Sequence, residues 1–163
     1  MHLSELCSNR YNIKFIKRLA QYEVEFIIIG GAAIYYHGGR EPEDVNDIDI
    51  YVKPDLDNIN KLTEVFQFFN LKLVTDPKRL LNPYARLAIK TNTVNVDIIT
   101  PRDFEPFEEL EARACEFDSM HPYILILGKE DCLTHKQITV NNVKERLAVH
   151  QKDLEFLHKA VIS

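Results

Sequence analysis

Asp47 and Asp49 stand at alternate positions of "DIDIYV", where the flanking residues are those of a buried strand. Aspartate is poorly suited to a strand interior, and alternate strand residues share one face. Both carboxylates therefore lie on the face of Tyr51, with Ile48, Ile50 and Val52 opposite. Their Cα atoms would be about 6.5 to 7 Å apart, so the two acids can converge on one small volume. Like charges placed so close call either for solvent, as on a wet edge strand, or for a cation between them. An all-oxygen site of this kind suits Mg²⁺ (or Mn²⁺), which takes one or two carboxylates and leaves its other positions to water and substrate phosphates.

Asp97, inside the β-branched run "TVNVDIIT", is the third acid of this type. If its strand lies beside "DIDIYV", three carboxylates share one end of a sheet. Such a set can hold two metals about 3.5 to 4 Å apart, and Asp97 could equally serve as the base for an incoming hydroxyl. Upstream, "EFIIIG" reads as a short strand buried on both faces, closed by Gly30 and Gly31. Glycines at the start of a helix let backbone N–H groups approach a phosphate closely, and the helix dipole favours the anion.

The elements that must position these residues follow from periodicity. Ile13, Phe15, Ile16, Leu19 and Tyr22 mark a helix from Asn9 to Tyr22, "AAIYYHG" a short second helix ending near Gly38 and Gly39, and "REPEDVN" a polar loop. A strong apolar stripe predicts a helix from Asp55 to Phe69. "LKLVT" reads as a strand, "DPKRLLNP" as a loop, and "YARLAIK" with "TVNVDIIT" as a hairpin. Beyond Pro101 a helix in "DFEPFEELEARA", small strands in "CEFD" and "PYILILG", a helix in "KEDCLTHKQ" and a terminal helix from about Asn142 to Val161 complete the chain. The charges of that last helix are expected on its wet face, Tyr35 and Tyr36 near the core, and His37 in a capping or packing role.

This is the pattern of one α+β domain, 1–163, in which a mixed sheet flanked by helices fills 1–101 and a cap of short strands and helices fills 102–163. The length supports a genuine core. An apolar fraction of 45% and a charged fraction of 28% are ordinary for a soluble globular protein. A net charge of -5 argues against general affinity for nucleic acid or anionic membranes. Cys7, Cys115 and Cys132 form no CxxC pair, so neither a disulfide framework nor a zinc site is expected. With no signal-like or membrane-length apolar run, a cytoplasmic protein with no membrane partner is the expectation.

The Gly30–Gly31 pair, the Asp47-x-Asp49 pair and the later strand-borne Asp97 together resemble the nucleotidyltransferase superfamily with the DNA polymerase β type of fold. "GGAAIYYHGGR" looks like the Gly-Gly, His-Gly, Arg arrangement of small prokaryotic members, including relatives of the AbiEii type, and the likeness runs roughly from Glu25 to Leu157. The resemblance implies transfer of a nucleoside monophosphate from an NTP such as ATP, with Mg²⁺, to a hydroxyl-type acceptor on a small molecule, a protein side chain or an RNA end. It assigns catalysis and metal binding to Asp47, Asp49 and Asp97, and nucleotide binding to Gly30, Gly31, Arg40 and Lys136; Arg86 is placed beside the site as a substrate contact. The same family contains antitoxins that keep these acids, so a non-catalytic toxin-antitoxin component, acting through a partner protein or as a homo-oligomer, is the alternative. "EPED", with three acids close to an expected triphosphate, departs from the family pattern.

Overall fold

A computed structural model describes residues 1–41, 45–118, 123–142 and 151–157. The middle of the "REPEDVN" loop and most of the expected terminal helix lie outside them; residues 151–157 of that helix are helical.

Helix α1 (Arg10–Gln21) begins where the Asn9 side chain accepts hydrogen bonds from the N–H groups of Tyr11 and Asn12, two of the donors that a helix start leaves without partners. Its buried stripe contains Ile13, Phe15, Ile16 and Leu19. Strand β1 (Phe26–Ile29) is buried along its whole length, as a continuously apolar run requires. It passes directly into α2 (Gly30–Tyr36), which ends on Gly38 at φ +89°. There the N–H groups of Gly38 and Gly39 reach back to the carbonyls of Tyr35 and Ile34, both at 2.8 Å.

Strand β2 (Ile48–Val52) follows, then α3 (Leu56–Phe68), capped by the Asp55 carboxylate on the Asn58 N–H. Phe15 of α1 packs against Phe66 and Phe69 at ring separations of 6.3 and 5.6 Å, which joins the two helices. The hairpin formed by β3 (Arg86–Lys90) and β4 (Asn95–Ile99) is antiparallel, as its sequence predicts. After α4 (Phe107–Arg113) come two short strands, β5 (Cys115–Glu116) and β6 (Leu125–Ile126), and then α5 (Lys129–Asn142).

All six strands form one mixed sheet in the order β3-β4-β2-β1-β6-β5. The pairs β2–β4 and β1–β6 are parallel, and the other three are antiparallel. The fold is therefore α+β with a six-stranded sheet flanked by helices. The strands expected after Pro101 extend this same sheet, since β6 pairs with β1.

One expected strand is not formed. "LKLVT" has no ladder: α3 closes on Asn70 in the left-handed region at φ 53°, and residues 71–75 run on as irregular chain. Leu71 and Leu73 still pack against the core while Val74 is wholly exposed, so the alternation reports which side chains are inward. A strand needs a neighbour as well as a pattern, and among the described residues none pairs with this segment. In the adjoining "DPKRLLNP", Pro77–Leu81 forms a 3-10 helix instead of an open loop.

Candidate metal and phosphate site

The two acid-bearing strands are neighbours. Asp49 on β2 and Asp97 on β4 are register partners in a parallel pair, and Asp47 lies just before the first residue of β2. Side-chain oxygens of Asp47, Asp49 and Asp97 all come within 4.8 Å of one another, a set of donors that could hold a metal ion. Ile48 and Ile50, which alternate with the two acids, are fully buried on the opposite face. The alternation that spoils the strand in one dimension thus creates the cluster in two.

Asp49 sits in an environment that disfavours its charge. Burial, reinforced by the charges of Asp47 and then Asp97, pushes its carboxyl up to about 7, with Lys136 and Arg86 pulling the other way. Among the described residues it forms no ion pair, whereas Asp97 does: Arg86 at the start of β3 grips it with two bonds, Nη2 to Oδ2 at 2.9 Å and Nε to Oδ1 at 3.3 Å. That hydrogen bonding, ahead of the simple charge attraction, raises the Arg86 guanidinium above its ordinary range.

Gly30 fits the carboxylate cluster because it lacks a side chain. Its φ is +63°, in the left-handed region, and a Cβ there would fall 2.5 Å from Asp49 Oδ2. Gly31 is equally confined, since its Cβ would meet Arg40 Nη1 at 2.5 Å. The glycine pair thus allows one strand end to lie directly against the acids of the next.

Arg40 and Lys136, expected to bind nucleotide, converge on a residue the sequence did not single out. Asp153, buried in the helical segment 151–157, accepts from Arg40 Nη2 at 2.8 Å and Nε at 3.2 Å, and Lys136 Nζ lies 3.2 Å from the same carboxylate. The expectation that the charges of the last helix form a wet face therefore fails at Asp153, which is 1% exposed. Its burial is compatible with charge only because two cations neutralise it. Lys136 is held below the usual lysine range by burial, against the pull of Asp153.

Asn12 is a second residue missed in the sequence. From inside α1 its Nδ2 donates to the Asn46 carbonyl at 3.4 Å, and its Oδ1 accepts from the Asn95 N–H at 2.7 Å. One buried amide thus links the backbone just before Asp47 to the first residue of the strand that carries Asp97. A lone Asn on a helix gives no signal of such a role.

Next to Asp49 and Gly30 a cavity of about 250 Å³ opens between the sheet, α2 and α5, with Tyr51, Tyr84, Arg102 and Lys136 among its polar lining. Tyr84 sits at φ 47°, an uncommon conformation for an aromatic residue, and Arg102 lies over its ring at 4.1 Å. His37, as expected, packs and caps: it closes α2 and its Nε2 bonds the Leu127 carbonyl at 2.7 Å. Among the described residues no helix is long and apolar enough to cross a membrane. The chain matches no protein-family model, no curated protein and no solved structure.

Proposed function

We propose that this protein is a metal-dependent nucleotidyltransferase, moving a nucleoside monophosphate from an NTP to a hydroxyl acceptor. One observation carries the reading: three carboxylates, two on adjacent strands and one just before the first of them, lie within 4.8 Å of one another, directly against a side-chain-free glycine turn. The donor set fits Mg²⁺, being all oxygen, and the Asp49 carboxyl, raised first by burial and then by the charges of Asp47 and Asp97, is one that a dication would hold ionised. When bound, the metal would polarise the reacting phosphate and offset charge on the leaving pyrophosphate.

The chain's own residues supply the rest. Asp47, Asp49 and Asp97 hold the cation, and Gly30 and Gly31, at the start of α2, are the backbone that the family resemblance assigns to the triphosphate. Lys136, on the wall of the adjoining cavity, presents positive charge to the same region. The acceptor oxygen bonds to the α-phosphorus, its proton passing to Asp97. The bond from that phosphorus to the bridging oxygen breaks, and its electron pair leaves with pyrophosphate.

A second reading, a binding partner such as the antitoxin half of a toxin-antitoxin pair, is favoured by a different observation. The cations nearest the acids already have carboxylate partners, Arg40 and Lys136 on Asp153 and Arg86 on Asp97. Incubation with α-labelled NTPs, Mg²⁺ and cell extract separates the two. Label transferred to a macromolecule or metabolite by the wild type and not by Asp97→Asn supports the transferase; a silent wild type, with each NTP tried, supports the binding partner.

A further inference from the structure

Of the three acids, only Asp97 has a resident cation. Arg86 engages both of its oxygens, at 2.9 and 3.3 Å, while Asp47 and Asp49 form no ion pair among the described residues. A metal using Asp97 would share those oxygens with a guanidinium that cannot itself coordinate a metal and repels it at contact distance.

The pair is built to be displaced. The Arg86 side chain is 58% exposed, so it can turn to solvent without stranding a charge in the interior, whereas Asp97 is 14% exposed and fixed in the middle of β4. Exposed ion pairs are weak and easily exchanged. Arg86 also lies on β3 at the edge of the sheet, and among the described residues no strand lies beyond it to confine the side chain. The partner in the opposite situation is Asp153, whose buried cations cannot leave without exposing an unpaired charge.

We propose that Arg86 is the selectivity residue of the acid triad: it neutralises Asp97 until a cation of higher charge displaces it, and so sets the concentration and charge needed for entry. This rests on the triad being a metal site and is independent of which group is transferred. Monovalent ions fail because they exchange one unit charge for another, and a divalent ion succeeds because it gains. Once displaced, Arg86 stands at the rim of the site as a free guanidinium for an anionic ligand.

Titrating Mn²⁺ alone by calorimetry, with free Mn²⁺ followed in parallel by electron paramagnetic resonance, tests this. Arg86→Gln should bind Mn²⁺ about tenfold more tightly than wild type, and Arg86→Lys, which keeps the charge, should stay near wild type. Mass-spectrometric mapping of arginine labelling by a dicarbonyl reagent should show Arg86 reacting faster once Mn²⁺ is added. Equal or weaker binding by Arg86→Gln, or an unchanged labelling rate, overturns the role of Arg86 while leaving the metal site standing. Absence of Mn²⁺ binding in both proteins overturns the metal site and this proposal with it.

Discussion

Asp49 and Asp97 face one another in register across two parallel strands that are distant in sequence, so the sheet itself creates the carboxylate cluster. Parallel pairing requires a crossover, here α3 together with β3 and the turn after it, and that crossover is what separates the acids along the chain. The folded protein thus holds charge together against repulsion. Substitutions at Asp49, Gly30, Asn12 and Asp153 act on that tension or on the scaffold that maintains it.

Asp49→Asn should stabilise the metal-free protein by an amount that grows as pH rises from about 4 to about 7 and is full above that. Its folded carboxyl is raised to about 7 from an ordinary value of about 3.9. Between those two values the unfolded chain releases its proton while the folded one keeps it, so stability falls as pH rises and the cost is complete above about 7. Thermal melts in chelator at pH 8 should show a gain on the order of 2 kcal/mol, allowing for solvent screening, with none at pH 4. Equal gains at both values would contradict the assigned cause.

Gly30→Ala should cost roughly 1 to 3 kcal/mol of stability and weaken Mn²⁺ binding, because its methyl group must displace the Asp49 carboxylate and adopt a strained φ. Gly38→Ala provides the control. It also has positive φ but meets nothing within 4 Å, so denaturant melts should report strain while Mn²⁺ affinity stays at the wild-type value.

Asn12→Ala should couple a stability loss to a binding loss. The buried amide joins Asn46 to Asn95, and its removal leaves the Asn95 N–H without that acceptor, a cost of about 1 to 3 kcal/mol. Because the same bridge aligns the backbone beside Asp47 with that leading to Asp97, Mn²⁺ affinity should fall too. A variant that loses stability but titrates as wild type would show that Asn12 only holds the core together.

Asp153→Ala should be the most damaging of the set, by about 3 to 5 kcal/mol, since it leaves the guanidinium of Arg40 buried without its ion-pair partner. Denaturant unfolding should show the shift. A combined Arg40→Met, Lys136→Met, Asp153→Leu variant should recover much of the loss, as apolar replacement of all members of a buried ion cluster often does.

What was legible in the sequence was local. Alternation placed Asp47 and Asp49 on the face opposite Ile48 and Ile50, the β-branched run around Asp97 announced its strand, and a hairpin was evident between Arg86 and Ile99. Contacts depending on distant partners were not legible. "LKLVT" has the alternation of a strand, yet pairing is decided by a neighbour that alternation does not encode. Asp153 is indistinguishable from a solvated helical acid until Arg40 and Lys136 arrive beside it. Asn12 acts across 83 residues of sequence, and nothing in its immediate neighbours marks it; the place of Arg86 beside the site was legible, but its grip on Asp97 across the hairpin was not.

Calorimetric titration of ATP, GTP, CTP and UTP into the protein with and without Mg²⁺, alongside an Asp47→Asn, Asp49→Asn variant, decides whether these acids form a nucleotide site. A nucleotidyltransferase site built on these acids predicts binding of at least one NTP that requires Mg²⁺ and disappears in the double variant. Absence of binding for all four nucleotides, or binding that persists without the two carboxylates, would contradict it.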